Sequence, residues 1–208
     1  YNKLEYSIFL NTSHTKKGGV FILQLYGLTK NKLQGLKQYK DYCIESELST
    51  GDKTLSFLYP ANLSKDIVEE GYIRNKDNEY VIKAIDPSDN FKRFSCNINV
   101  EALVGKAIAS FDTSNNNVND TIRLAIAGTG WILADNNITK RRTVRLTNTN
   151  ALEVLKEVRK VFRVDIRYDA INKIIYVYEQ FGEDRGVYFS DELNLKSFSI
   201  PSDTYDYA

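Results

Sequence analysis

Histidine, cysteine and methionine are almost missing from this chain of 208 residues, which has one His, two Cys and no Met. His and Cys are side chains that often act as general bases, nucleophiles and metal ligands. One His and two distant cysteines, Cys43 and Cys96, cannot supply the four ligands of a zinc site. They also make no disulfide framework, so we expect two buried, unreactive thiols in a reducing compartment. Carboxylate sites for Ca²⁺ or Mg²⁺ stay open, although the patterned Ca²⁺-binding loop is absent.

A surplus of charge of one sign is lacking as well. Lys and Arg number 28 against 27 Asp and Glu, which gives a formal net charge of +1. No overall field is therefore present to hold a polyanion or an anionic membrane surface. No apolar run approaches the ~20 residues that span a bilayer, so we expect no membrane insertion. The missing initiator Met indicates either a piece of a longer chain or modified methionines left out of the sequence.

The first half of the chain has the pattern of short strands separated by turns. Apolar or alternating runs occupy residues 20–26, 42–48, 54–59, 72–73, 80–85 and 93–100. The turn around Gly51 predicts one hairpin, and the polar turn 75–78 predicts a second. Strands that recur at intervals of roughly 8–12 residues favour a sandwich or a barrel.

The pattern becomes helical after this region. Residues 100–111 are ambiguous and favour a short helix, and the polar residues 112–117 predict a loop. A first helix is predicted after Asn117 as N-cap, with Asp120 placed to reach back to it and Gly128 as the stop. Its apolar face consists of Val118, Ile122, Ala125 and Ile126.

A second helix has a clearer signature. Asn150 and Glu153 have the spacing of a capping box, and the apolar stripe that follows is Ala151, Leu155, Val158 and Phe162. Two strands, 164–168 and 173–178, come next. A helix followed by two strands packs as one α+β layer.

These elements predict an α+β fold that is mainly β, with a barrel-like antiparallel β domain followed by a small α+β domain. The predicted divisions are a poorly assigned arm at 1–19, a β-rich domain at 20–105, an α+β domain at 106–185 and the start of a further β segment at 186–208.

Four groups of residues are candidate chemical sites, and each also has an ordinary structural explanation. His14 lies in a polar, glycine-containing stretch without a nucleophile signature, which is typical of an exposed loop histidine. The 128–131 segment, Gly-Thr-Gly-Trp, closes a predicted helix, whereas phosphate-binding loops open one. It therefore predicts a helix end followed by a buried Trp131.

The other two groups are charged. Asp165 with Asp169, or Glu183 with Asp184, could form a carboxylate pair of the glycosidase type, but acidic residues are common at turns. The basic cluster at 140–142 and 145 could contact nucleic acid. It lacks interleaved aromatic residues and a helix-turn-helix pattern, which favours a solvated loop or a contact with an acidic partner subunit.

Three segments, taken in order, carry a resemblance to a known family. The first is 42–60, with Glu45, Leu48 and Gly51 before Thr-Leu-Ser-Phe-Leu-Tyr-Pro, and the second is 124–131, Leu-Ala-Ile-Ala-Gly-Thr-Gly-Trp, followed by the helix 151–161. The third is Gly-Glu-Asp-Arg-Gly at 182–186, followed by 194–198 and 202–204. The series, across residues 20–208, resembles the N-terminal region of prophage tail proteins of phages that infect Gram-positive bacteria. These are also called minor structural, tail-associated lysin or prophage endopeptidase tail proteins.

The resemblance implies a baseplate hub at the tip of a phage tail. Such proteins form a homotrimer whose barrel-like domains pack into a pseudo-sixfold ring, so 20–105 would be the ring domain and 106–185 would project from it. The implied partners are the distal tail protein and the tape-measure protein, with DNA only as passing cargo. The implied location is the virion tail tip, after synthesis in the cytoplasm of the bacterial host.

In many members of this family a lysin, an endopeptidase or a receptor-binding part follows further along the chain. No lysin motif is visible here, so we expect no enzyme activity and no catalytic, cofactor-binding or metal site in these residues. Two alternatives stay open. One is a tail-associated cell-wall hydrolase that depends on His14, and the other is a host-surface carbohydrate-binding module that uses Trp131, Tyr205 and Tyr207.

Overall fold

The structure, a computed structural model, describes residues 23–47 and 50–179. The strands are β1 Leu23–Tyr26, β2 Lys32–Leu36, β3 Lys40–Ser46, β4 Lys53–Pro60, β5 Tyr72–Arg74, β6 Glu79–Asp86, β7 Phe91–Ile98, β8 Ala107–Asn117, β9 Ile132–Leu133, β10 Arg141–Asn150, β11 Asp165–Asp169 and β12 Ile174–Tyr178. The helices are α1 Glu101–Val104, α2 Val118–Ile126 and α3 Ala151–Phe162, with a 3₁₀ turn at Ala61–Leu63. The predicted arm at 1–19 and the predicted β segment at 186–208 lie outside the described residues.

The first seven strands form one antiparallel sheet in the order β2-β1-β5-β6-β7-β4-β3. Both predicted hairpins are confirmed, because β3 pairs with β4 and β5 pairs with β6. Gly51 in the first hairpin has a φ of +77°, a backbone conformation that glycine adopts without steric cost.

The connection between β2 and β3 requires this sheet to curl. These strands are its two edges, yet only residues 37–39 join them. Four residue steps reach at most about 14 Å, whereas the edges of a flat seven-stranded sheet lie about 29 Å apart. The sheet therefore forms a curled half-barrel, which confirms the barrel-like prediction.

The concave side of the half-barrel contains one apolar core. Alternate residues of β4, Leu55, Phe57 and Tyr59, are buried, as the period of two in their sequence predicts. Phe57 stacks on Phe94 of the neighbouring strand β7 with ring centroids 5.2 Å apart. The same core continues into the helices of the second part of the chain.

The second part packs α2 and α3 against a β8–β10 ribbon and a small sheet of order β11-β12-β9. Both predicted N-caps are confirmed. The Asn117 side chain accepts from Asn119 N at 2.7 Å, and Asn150 accepts from Glu153 N at 3.0 Å. Every residue of the two predicted apolar faces is buried.

The prediction for 100–117 was wrong over most of its length. The short helix α1 ends before Gly105, and the residues expected to continue it and then to form a polar loop make the eleven-residue strand β8. The reason is non-local, because β10 supplies a full antiparallel partner, with Arg145 opposite Asp112 and Arg142 opposite Asn116. Strand preference depends on such cross-strand neighbours more than on local composition. Strands β2, β9 and β10 were also not predicted. The basic residues 141, 142 and 145, for which the sequence favoured a solvated loop or a contact with an acidic partner subunit, lie on β10.

Candidate functional site

The part of the chain that the structure describes holds few groups for chemistry. Within 23–47 and 50–179, no three His, Cys, Asp or Glu side chains come together as a metal site. In the same ranges, no helix is both long and apolar enough to cross a membrane. His14, the Glu183–Asp184 pair, Tyr205 and Tyr207 lie outside the described residues, so the structure does not place them.

The two cysteines differ, which corrects the expectation that both are buried. Cys96 is completely buried in β7, and burial raises the pKa of its thiol to about 12. Cys43 is only half-buried. It lies on β3, an edge strand, where its neighbour on one side is β4 and the other side is unpaired within the described residues.

The Gly-Thr-Gly-Trp segment is a helix end, as predicted. Gly128 and Gly130 both have positive φ, and Thr129 N donates to Ile126 O at 3.0 Å to close α2. Trp131 is 5% exposed and meets the ring of Tyr168 edge-on, with centroids 6.0 Å apart. The buried Trp131, directly before β9, packs against Tyr168 of β11. It therefore offers no stacking surface to a sugar.

The described carboxylate pair is occupied by structural contacts. Asp165 forms an ion pair with Arg159 at 3.2 Å. Asp169 accepts hydrogen bonds from the backbone N–H groups of Ile171 and Asn172, at 3.1 and 3.0 Å, within the β11–β12 turn. Asp169 is therefore a turn residue of the Asx type.

The basic cluster lies on the exposed ribbon. Arg145 pairs with Asp112 across its two strands at 3.3 Å, and Arg141 Nε donates to Asn115 O at 3.0 Å. Lys140 Nζ donates to Arg163 O at 3.1 Å, at the end of α3. These three cations thus brace the ribbon and fix it to the rest of the fold.

A groove with a volume of about 860 Å³ runs between β10 and the exposed face of α3. Its walls carry charges of both signs that pair with each other. Lys156 lies 3.3 Å from Glu153, and Arg159 lies 3.2 Å from Asp165. Such mutual neutralisation is typical of a structural surface and leaves no concentrated charge for a small ligand.

A buried ionic cluster, which sequence reasoning missed, holds the first sheet together. Glu79 is 1% exposed and accepts from Lys30 at 2.7 Å, Arg74 at 2.6 Å and Asn99 at 2.6 Å. Burial alone would raise the pKa of Glu79, but these three donors outweigh it, so the pKa lies below its usual value. Lys30 and Arg74 also lie over the rings of Tyr72 and Tyr26, each at 4.5 Å. The only local signal was an acidic residue directly before an apolar strand.

Contacts far apart in sequence join the two parts of the chain. The buried Asn78 side chain, in the β5–β6 turn, accepts from Ala170 N at 3.3 Å. A Cβ at Gly51 would come within 3.2 Å of Ile166 O and of the Tyr168 ring, so the hairpin turn approaches β11 closely. The half-barrel and the α+β part therefore pack directly against each other.

Two family models match the chain in succession. The prophage endopeptidase tail N-terminal domain matches residues 23–102, and the prophage endopeptidase tail domain matches residues 108–177. Together they cover most of the sequence, and they meet where the half-barrel gives way to the ribbon. No curated protein matches the chain in sequence.

Solved structures of tail proteins have a similar fold. A prophage tail protein from Listeria monocytogenes EGD-e matches with a TM-score of 0.56 and 16% identity, over 75% of this chain and 50% of that one. A tail protein from Neisseria meningitidis MC58 matches with a TM-score of 0.54 and 9% identity, over 76% of this chain and 50% of that one. The 43 kDa tail protein of prophage MuSo2 from Shewanella oneidensis matches with a TM-score of 0.53 and 12% identity, over 76% of this chain and 54% of that one. The chain thus spans about half the length of these structures. With both domain models and this fold in agreement, the chain belongs to the prophage tail proteins that carry the prophage endopeptidase tail domains.

Proposed function

We propose that the chain is a structural segment of the hub at the tip of a phage tail. The observation that carries this proposal is the succession of the two tail-domain models over one half-barrel and one α+β unit. In this role the chain assembles as a homotrimer, docks on the distal tail protein and contributes to the channel through which DNA passes. The tape-measure protein is a further partner inside that channel.

Hydrogen bonds between distant segments support a role in assembly. The three donors on Glu79 fix the strands of the half-barrel, and the Asn78–Ala170 bond fixes the half-barrel to the second unit. Protein interfaces that keep their shape on binding lose little freedom when they associate. A chain cross-linked in this way is suited to a ring built from several copies.

The poor supply of reactive groups supports a non-enzymatic role. The described part of the chain contains no histidine, its carboxylate pair is engaged in turn and ion-pair contacts, and Cys96 is buried. We therefore assign lytic activity to other parts of such tails. Localisation at the virion tail tip, after synthesis in the host cytoplasm, follows from the same proposal.

The test is capture of the distal tail protein encoded by the same prophage. The chain, immobilised through a terminal tag, is expected to retain that protein, and light scattering of the mixture should give three copies of the chain per complex. Failure to capture it would contradict the docking role.

A second assay addresses the hydrolase alternative. We expect no clearing of cell walls in a zymogram. Clearing by the wild-type chain that disappears in a His14→Ala variant would replace the structural proposal with an enzymatic one.

A further inference from the structure

The groove between β10 and α3 lies beside an open strand edge. Strand β10 pairs with β8 alone within the described residues. The residues that line the groove include four from β10, at 146–149, and none from β8. The groove therefore lies on the open side of β10, where backbone N–H and C=O groups can pair with a further strand.

The groove has the length of a short strand. The residues of α3 and its C-cap that line it run from Glu153 to Arg163, and ten residue steps along a helix span about 15 Å. A strand rises about 3.3 Å per residue, so about five residues of extended chain have the same length.

The lining of the groove can also cover an apolar face. Leu146 is half-buried and Val164 is buried, and both line the groove. The exposed face of α3 adds the aliphatic stems of Lys156, Arg159 and Lys160, and such stems can pack along apolar surface while the charged groups stay in water. An extended segment with one apolar side would therefore find contacts along the whole groove.

The chain leaves the described part of the fold at this groove. Glu179, the last described residue, lines the groove, and its Oε1 lies 3.7 Å from the Nζ of Lys140, directly before β10. Residues 180–208 of the sequence continue from this point. The eight residue steps from Glu179 to Val187 can span up to about 26 Å. This reach exceeds the length of the groove, so residues beyond 186 have access to all of it.

Residues 187–195 alternate in the way that is typical of a strand with one buried face. The odd positions are apolar except for Asp191, and they are Val187, Phe189, Leu193 and Leu195. The even positions are Tyr188, Ser190, Glu192 and Asn194. The nine residues are longer than the groove, so they can fill it from end to end.

The charges of this segment complement those at the C-terminal end of α3. The side chain of Lys160 is 80% exposed and has only a 3.8 Å ion pair with Glu157. Arg163 is exposed and has no ion pair with another described residue. Residues 180–192 contain two Asp, two Glu and one Arg. An acidic segment that starts beside these two cations is attracted to them.

We propose that residues 187–195 of the same chain bind in this groove as an additional strand on the open edge of β10, with their apolar face over α3. The contact closes one edge of the β8–β10 ribbon and fixes the chain beyond Glu179 to the α+β unit. It is made within one copy. It therefore requires neither the homotrimer nor the contact with the distal tail protein.

Disulfide cross-linking in the 208-residue chain tests this contact. The background carries Cys43→Ser, and the native Cys96 stays because it is buried. Thr147→Cys places a thiol at an exposed position of β10. The second thiol is placed in turn at the even positions of the segment, in the variants Tyr188→Cys, Ser190→Cys, Glu192→Cys and Asn194→Cys.

Ser110→Cys is the matched control for Thr147→Cys. Ser110 is exposed and lies directly opposite Thr147 on β8, so it shares a face with Thr147 but is one strand farther from the groove. A thiol two strands away from the docked segment is about 10 Å distant, whereas a disulfide needs Cβ atoms within about 4.5 Å.

With glutathione disulfide as oxidant, at least one pair that contains Thr147→Cys should close an intramolecular disulfide about tenfold faster, or more, than the same pair with Ser110→Cys. Leu193→Ser with Leu195→Ser removes the apolar face and should abolish this difference. Ser197→Ala with Ser199→Ala, on the same side beyond the alternating residues, should preserve it. Mass spectrometry identifies the linked residues, and circular dichroism should show that every variant is folded.

Several results would overturn the proposed contact. They are equal or faster reaction at Ser110→Cys, no intramolecular disulfide in a folded chain, and a preference that persists without the two leucines. Cross-linked dimers as the main product would show that a second copy occupies the groove instead. Capture of the distal tail protein by the same chains would leave the proposed function standing while this contact fails, so the two failures are distinguishable.

Discussion

Removing the charge of Glu79 should destabilise the half-barrel strongly. The carboxylate is buried and accepts three hydrogen bonds of 2.6–2.7 Å, two of them from cations. Breaking a buried ion pair costs about 3–5 kcal/mol, but the side chains of Lys30 and Arg74 are 42% and 30% exposed, so water screens part of the interaction. For Glu79→Gln we therefore expect a loss of about 3 kcal/mol in the free energy of unfolding at neutral pH.

The pH dependence gives this prediction a second, independent readout. Because folding lowers the pKa of Glu79 below its ordinary value of 4.5, its contribution is present above that value and is lost as the pH falls through the lowered pKa. Urea unfolding should therefore show a difference between wild type and Glu79→Gln that is full at neutral pH and shrinks at acid pH. The control is the exposed residue Glu69, whose Glu69→Gln variant should change stability by no more than about 0.5 kcal/mol. A loss below about 1 kcal/mol in Glu79→Gln, or a loss that does not change with pH, would refute the reasoning.

Three further predictions concern other parts of the fold. Trp131→Ala should lower the free energy of unfolding by about 3–5 kcal/mol, because Trp131 is buried and packs against Tyr168 of β11. An unchanged free energy in urea unfolding would contradict its place in the core. Asn150→Ala should lower the free energy of unfolding by about 1 kcal/mol, because α3 loses its N-cap. An unchanged thermal unfolding midpoint would contradict that role. With Ellman's reagent, Cys43 should react in the native protein and Cys96 only after unfolding, since burial raises the pKa of Cys96 to about 12. Rapid native reaction of both thiols would be inconsistent with the packing of β7.

Local patterns predicted the elements whose signals are complete within a few residues. The hairpin at Gly51 was predictable because apolar alternation is interrupted there by a glycine turn. The helix α3 was predictable because Asn150 caps it and its apolar stripe has a period of 3.6 residues. In both cases the information lies inside the segment that folds.

Features that depend on distant partners could not be predicted in this way. Strand β8 contains a polar run that resembles a loop until β10 pairs with it, more than twenty residues later. Glu79 is bound by Lys30, which lies 49 residues earlier in the chain. Cys43 is half-buried because β3 is a sheet edge, a property of strand order that its own sequence does not record. Composition alone did indicate how few reactive groups the chain has.

The charge of the chain illustrates the same limit. A net charge of +1 excludes a strong overall field, yet it hides a basic stretch at 27–40 directly followed by an acidic one at 41–52. Strands β2 and β3, which carry these stretches, are first and last in the order of the sheet, and the curl of the sheet brings them together at residues 37–39. Sequence reasoning detected the balance of charges, and the structure was needed to see its arrangement.

Immunogold electron microscopy of phage particles tests the central claim most directly. Particles induced from a strain that carries this prophage would be labelled with an antibody against the chain. The account predicts gold at the tip of the tail, and predicts that particles lacking the gene have no complete tail tip. Label along the capsid or the tail shaft, or particles with normal tips in the absence of the gene, would contradict a role as a hub.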